Sequence, residues 1–107
     1  MRTIIFDEVD VGIGGGIAEV VGKNLAELAK KKQVICVTHL PQIACFGNQH
    51  FMIQKHVEKG RTRTEVERLD AHQREEEIAR MMAGVKVTDQ AKAHAREMLR
   101  QATINRG

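Results

Sequence analysis

With 107 residues, the chain has room for one small domain or for part of a larger one. Its balance of 42% hydrophobic and 29% charged residues excludes a disordered or low-complexity chain. A net charge of +3 is too mild to imply nucleic-acid binding by itself, and only 3% aromatics, with no Trp or Tyr, argues against a base-stacking surface. Any core must then be aliphatic and methionine-based. Cys36 and Cys45 match neither a CxxC pair nor a zinc spacing, so a reducing cytoplasm is expected. No signal-peptide pattern heads the sequence and no apolar run is long enough for a bilayer, so no membrane partner is expected.

The first element is a strand over Thr3–Phe6, starting almost at the N-terminus, where something is expected to precede it. It runs into three carboxylates, Asp7, Glu8 and Asp10, and then into the glycine-rich turn Val11-Gly12-Ile13-Gly14-Gly15-Gly16. Ile17, Val20, Val21, Leu25 and Leu28 fall at helical spacing and predict a helix over Gly14–Lys32. Glu19 with Lys23 and Glu27 with Lys31 are favourable i,i+4 pairs on its polar face. Lys30, Lys31 and Lys32 suit the negative end of the helix dipole and read as solvated charge. Val34-Ile35-Cys36-Val37 is a second strand, within Gln33–Thr38. Strand, helix and strand with short connections form a βαβ unit, so the two strands should be parallel. Unbroken apolar runs predict that both faces of that sheet are covered.

Pro41 fits the first turn of a short helix to Phe46, stopped by Gly47. His50–His56 reads as a third strand with Phe51 and Ile53 on one face, Lys59-Gly60 as a turn, and Arg63–Leu69 as the returning antiparallel strand. Asp70 and Gln73 pair as a helix cap. The helix that follows carries Ile78, Ala79, Met81 and Met82 and ends at Gly84. Thr88 caps a final helix with Ala91, Ala95, Met98, Leu99 and Ala102 on one face. The sum is an α/β chain: a parallel βαβ sheet, a β-hairpin and two C-terminal helices.

The chemistry concentrates at the ends of the first two strands. Ligands of open α/β sheets bind at the carboxyl ends of the strands, and parallel strands share that edge. His39, after the second strand, should therefore lie on the same rim as Asp7 and Glu8. Those residue types suit a Walker-B half-site. Asp7 would hold Mg²⁺ through water, Glu8 would orient and deprotonate an attacking water, and His39 would donate to the γ-phosphate or to that water. The rival dinucleotide reading of Gly12-x-Gly14 fits poorly, because Ile17 stands where the third glycine is needed and three carboxylates would repel a pyrophosphate. His50, His56, His72 and His94 read as surface or capping residues.

Ile4-Ile5-Phe6-Asp7-Glu8-Val9-Asp10-Val11-Gly12-Ile13 and Gln33-Val34-Ile35-Cys36-Val37-Thr38-His39-Leu40-Pro41-Gln42-Ile43-Ala44 together resemble the C-terminal end of the bacterial RecN DNA repair proteins, in the SMC-like branch of the ABC-type ATPases. Gly60-Arg61-Thr62 and Glu77-Ile78-Ala79-Arg80-Met81 extend the resemblance over nearly the whole chain. It implies the P-loop NTPase-like C-terminal lobe of an ABC/SMC head across residues 1–107. It also implies a cytoplasmic, nucleoid-associated protein that binds and hydrolyses ATP with Mg²⁺ between two heads of a homodimer and acts on DNA at double-strand breaks. By the same resemblance Asp7 is the Walker-B metal residue, Glu8 the catalytic glutamate and His39 the switch histidine. Asp10, Gly12, Gly14 and Gly15 form the D-loop side of the nucleotide site. The family commonly has Ser-Gly after Gly-Ile, where this sequence has Gly14-Gly15-Gly16.

The sequence contains no G-x-x-x-x-G-K-[ST] phosphate loop, no Q-loop, no Ser-Gly-Gly signature and no coiled coil. It is expected to be a piece of a longer protein. Alone it should bind ATP weakly, without hydrolysis, and self-associate through its uncovered sheet. Two alternatives stay open at this point: a non-catalytic α/β interaction module, and the head of another SMC/ABC-type chromosome-maintenance ATPase.

Overall fold

The computed structural model describes residues 2–7, 14–84 and 86–106. Its elements run β1 (Thr3–Asp7), α1 (Gly15–Ala29), β2 (Gln33–Val37), α2 (Pro41–Ala44), β3 (Phe51–Glu58), β4 (Arg61–Arg68), α3 (Ala71–Ala83) and α4 (Asp89–Arg106). The expected elements and their order are those observed, with bounds shifted by a few residues. β1 and β2 pair in parallel with α1 as the crossover, in the register Ile4↔Val34, Phe6↔Cys36 and Asp7↔Val37. β3 and β4 form a separate antiparallel hairpin.

Burial along β1 and β2 alternates. Ile4, Phe6, Val34 and Cys36 are half-buried, whereas Ile5, Ile35 and Val37 are exposed, Ile5 by 67%. The expectation of a sheet covered on both faces is therefore corrected. The two strands have the apolar content of a doubly covered sheet, but the chain supplies cover for one face.

A second correction concerns α1. The large residues Ile17 and Val20 are exposed, and the buried stripe is small: Ala18, Gly22 and Ala26. The spacing is helical as expected, but small residues let α1 approach α2 closely. A Cβ at Gly22 would lie 2.5 Å from Phe46 Cδ2 and 3.1 Å from the Gln42 carbonyl oxygen. On the polar face Lys23 pairs with Glu19, at 3.7 Å, while Glu27 is met by Lys30 at 3.0 Å. The i,i+4 partner Lys31 lies past the helix end, where the chain turns toward β2.

The core is helical. Ala26, Cys45, Phe46, Ile78, Ala79, Ala95 and Ala102 form it, and Met81, Met82, Met98 and Leu99 pack around them. It is aliphatic and methionine-rich as composition required, with Phe46 as its aromatic member. The caps work as the sequence indicated. Asp70 and Gln73 form a reciprocal capping box, with Gln73 N–H donating to Asp70 at 2.8 Å and Asp70 N–H donating to Gln73 at 2.9 Å. Ala91 N–H donates to Thr88 Oγ1 at 3.1 Å at the start of α4. Gly84, with φ of 77°, ends α3 in a conformation that favours glycine.

Arg74 was not legible as a structural residue. From α3 its Nη2 donates to the carbonyl oxygens of Ala44, Cys45 and Gly47, at 3.1, 3.2 and 2.5 Å. These carbonyls end α2, whose last turn holds no basic residue of its own. A cation from another helix satisfies them and suits the negative helix end. His50 lies beside this clamp. Burial, helped by the Arg74 charge and opposed by Glu77, pushes its pKa below the ordinary 6.5. Glu77, buried on α3, is met by the Arg80 guanidinium one turn on, and that bond raises the pKa of Arg80.

Two outcomes are expected. Gly22→Ala forces Phe46 out of its seat and should lower the unfolding free energy by about 1–3 kcal/mol, read from urea titrations. The folded state disfavours His50 protonation, so the unfolded state takes up the proton first as pH falls. Stability should therefore decline from about pH 6.5 down through the depressed folded pKa. Unfolding curves at about pH 7.5 and about pH 5 should show a smaller acid loss for His50→Gln than for the parent chain.

Candidate nucleotide-site edge

The parallel register of β1 and β2 decides where the candidate residues fall. Asp7 is the last residue of β1 and aligns with Val37, the last of β2. Thr38 and His39 follow directly. The two strands end together, so Asp7 and the Thr38-His39 pair leave the sheet at one edge. Asp7 and His39 are both exposed there. The local turn is fixed by sequence: Leu40 N–H donates to Thr38 Oγ1 at 3.0 Å, which curls the chain after β2. Pro41 then opens α2 with its φ already suited to a first helical turn. Ile43, Cys45 and Phe46 bury this helix against the body. His39 is thus carried between a strand and a docked helix.

Gly14 is the N-cap of α1, in extended conformation with φ −89° and ψ 172°, and its carbonyl accepts from Ala18 N–H at 2.9 Å. Gly15 is the first residue of the helix. A Cβ at Gly14 would meet nothing within 4 Å, so packing within the chain does not require glycine at that position. Glu8, Asp10 and Gly12 lie outside the described residues. The edge therefore brings together Asp7 and His39, with Gly14 and Gly15 opening the crossover helix.

The donor chemistry fits Mg²⁺. One carboxylate at a strand end, with water and phosphate oxygens completing an octahedron, is how that ion is commonly held. Among the described residues no group of three or more His, Cys, Asp or Glu forms an all-protein cage. An open cleft of about 450 Å³ lies elsewhere, between the segment before β3 and the β4–α3 junction, and none of the candidate residues lines it.

The other histidines behave mainly as surface groups. His72 pairs with Glu76 at 3.0 Å on α3, His56 approaches Glu65 at 3.5 Å across the hairpin, and His94 is exposed on α4. His50 is the exception, half-buried beside Arg74. The residues that sequence reasoning missed, Gly22, Arg74 and His50, all surround α2. The one available signal was a short helix without a basic residue at its own C-terminus.

No family model matches the chain. Its sequence is 45% identical over 102 residues to the DNA repair protein RecN of Bacillus subtilis, covering 95% of this chain and 18% of that protein. It is 47% identical over 97 residues to RecN of Haemophilus influenzae, covering 91% and 17%. It is 42% identical over 104 residues to RecN of Streptomyces coelicolor, covering 97% and 18%. The chain thus spans under a fifth of the length of these relatives. Its fold matches a solved structure from work on ATP-driven dimerization and DNA-stimulated activation of SMC ATPases, with a TM-score of 0.55 and 18% identity over 68% of this chain and 43% of that one. Over nearly all of its length, this chain is homologous to a segment of the RecN DNA repair proteins, and it is built on the α/β fold of an SMC ATPase.

Proposed function

We propose that this chain is the C-terminal lobe of an SMC-like ATPase head acting in DNA repair, and that it supplies the hydrolytic half of a nucleotide site completed by the rest of a longer protein. The observation that carries this reading is the common edge at which β1 and β2 end, with Asp7 on one strand and Thr38-His39 after the other. Homology to RecN proteins favours it over a non-catalytic interaction module and over other chromosome-maintenance ATPases.

The division of work follows from the residue types. Asp7 is a hard oxygen ligand for hydrated Mg²⁺, which when bound neutralises charge on the phosphates of ATP. Glu8 accepts a proton from the attacking water and aligns that water. His39 donates a hydrogen bond to the γ-phosphate or to the water from the opposite strand. Asp10, Gly12, Gly14 and Gly15 follow Glu8 directly and form the segment that faces the second head of a homodimer. The SMC ATPase of matching fold comes from work on ATP-driven dimerization and DNA-stimulated activation, which supports assigning head pairing and DNA to the full-length protein here. The exposed sheet face at Ile5, Ile35 and Val37 is then covered by the remainder of the head.

In the full-length protein, Glu8→Gln should lower ATP turnover by about 10²–10⁴-fold while leaving ATP binding intact. Unchanged turnover would remove Glu8 from this role. The isolated 107-residue chain, lacking a phosphate loop, should give no micromolar ATP binding in calorimetry.

A further inference from the structure

The β3–β4 hairpin projects from the helical core, and every residue of β4 is exposed. Its turn is tight. Lys59 and Gly60 both have positive φ, 48° and 76°, the conformation of a two-residue type I′ turn. Such a turn makes Glu58↔Arg61 the first hydrogen-bonded pair of the ladder. Alternation along the strand then points the N–H and C=O groups of Thr62, Thr64 and Val66 away from β3, along an edge that pairs with no other strand among the described residues. One face of the hairpin carries Arg61, Arg63, Glu65 and Glu67 from β4. The other is mixed, with Phe51, Ile53 and Val57 flanking Lys55 on β3, opposite Arg68, Val66, Thr62 and Thr64. Val57 is 73% exposed and Val66 64%. A lone two-stranded hairpin is marginal in water, and three or more strands with an apolar face are needed for stability.

We propose that the β4 edge is a self-recognition surface that pairs antiparallel with β4 of a second copy, about a two-fold axis at Thr64. The charges select both partner and register. About that axis Arg61 faces Glu67 of the second copy and Arg63 faces Glu65, on one side of the sheet. Thr62 faces Val66 on the other. Moving the axis two residues to Thr62 sets Arg61 against Arg63, and moving it to Val66 sets Glu65 against Glu67. Like charges directly opposite disfavour both alternatives. The outward groups of Thr62, Thr64 and Val66 are those the Thr64-centred register uses. Arg63 and Glu65 already lie 2.8 Å apart within one strand, so the second copy extends an existing pair into a four-charge array. The product is a four-stranded sheet with Ile53, Val57 and Val66 of both copies on one face, around a centre of Lys55 and Thr64. This surface is separate from the nucleotide-site edge and does not rest on the ATPase reading.

The test is sedimentation velocity on the 107-residue chain, with charge-swap and cysteine variants. The parent chain should be dimeric. Arg63→Glu should weaken association about tenfold or more, because it opposes Glu65 of the partner, and Arg63→Glu/Glu65→Arg should restore it. Thr64→Cys should form a disulfide-linked dimer on non-reducing gels that the parent, with Cys36 and Cys45, does not form, since paired Cα atoms about 5.5 Å apart permit a disulfide. A monomeric parent chain overturns the proposal. So does failure of the double swap to restore association. A dimer that survives Arg63→Glu and leaves Thr64→Cys uncrosslinked also overturns it, and assigns self-association to the β1–β2 face instead.

Discussion

The seat of Phe46 against Gly22 holds this chain in its shape. Phe46 ends the short α2 turn and enters the helical core beside Ile78 and Ala79. Gly22, on α1, gives it room that no other residue could give without displacing the ring. Arg74 secures the same turn from α3 through three carbonyls. α2 follows His39 by two residues, so whatever fixes α2 also fixes where the chain leaves β2. α1 leads into the same sheet from the other side. Packing in the helical layer therefore positions the strand ends that carry the charged groups, although few of those groups touch the core.

That arrangement separates stability from chemistry. The core is small-residue, aliphatic and methionine-based, and it lies among the four helices. The candidate nucleotide edge is exposed at Asp7 and His39, and its geometry is set by the backbone register and by the bond from Leu40 N–H to Thr38. An exposed site of this kind suits a lobe whose ligand is enclosed by other parts of a protein. The same logic explains the uncovered apolar residues on β1 and β2. They have the composition of a doubly covered sheet and the cover of a singly covered one.

Most of the architecture was legible because it rests on local rules. The strand–helix–strand order forced a parallel pair. Asp70 with Gln73, Thr88, and the Lys59-Gly60 turn each carried a local signal that the structure bears out. What was not legible depends on contacts across many residues. Nothing near Gly22 in sequence announces Phe46, and nothing near Arg74 announces the carbonyls of Ala44, Cys45 and Gly47. The α1 face was misread for a related reason. Periodicity gives the angle of an apolar stripe, but which residues lie at its centre depends on how closely the next helix approaches. At the site, Asp7 and His39 could be placed on one edge from topology alone, and the role of Glu8 could be read from its residue type, while the roles of Asp10 and Gly12 rest on resemblance; Glu8, Asp10 and Gly12 lie outside the described residues.

The central claim is that Asp7 and His39, brought to one edge by two parallel strands, serve a single nucleotide site. A double-mutant cycle in the full-length protein tests it most directly, with kcat/KM for ATP measured for Asp7→Asn, His39→Ala and the double variant. Residues acting on one transition state should be strongly non-additive, so the double variant should be little worse than the more damaged single variant. Effects that multiply independently, or a His39→Ala variant with unaltered turnover, would contradict a shared site.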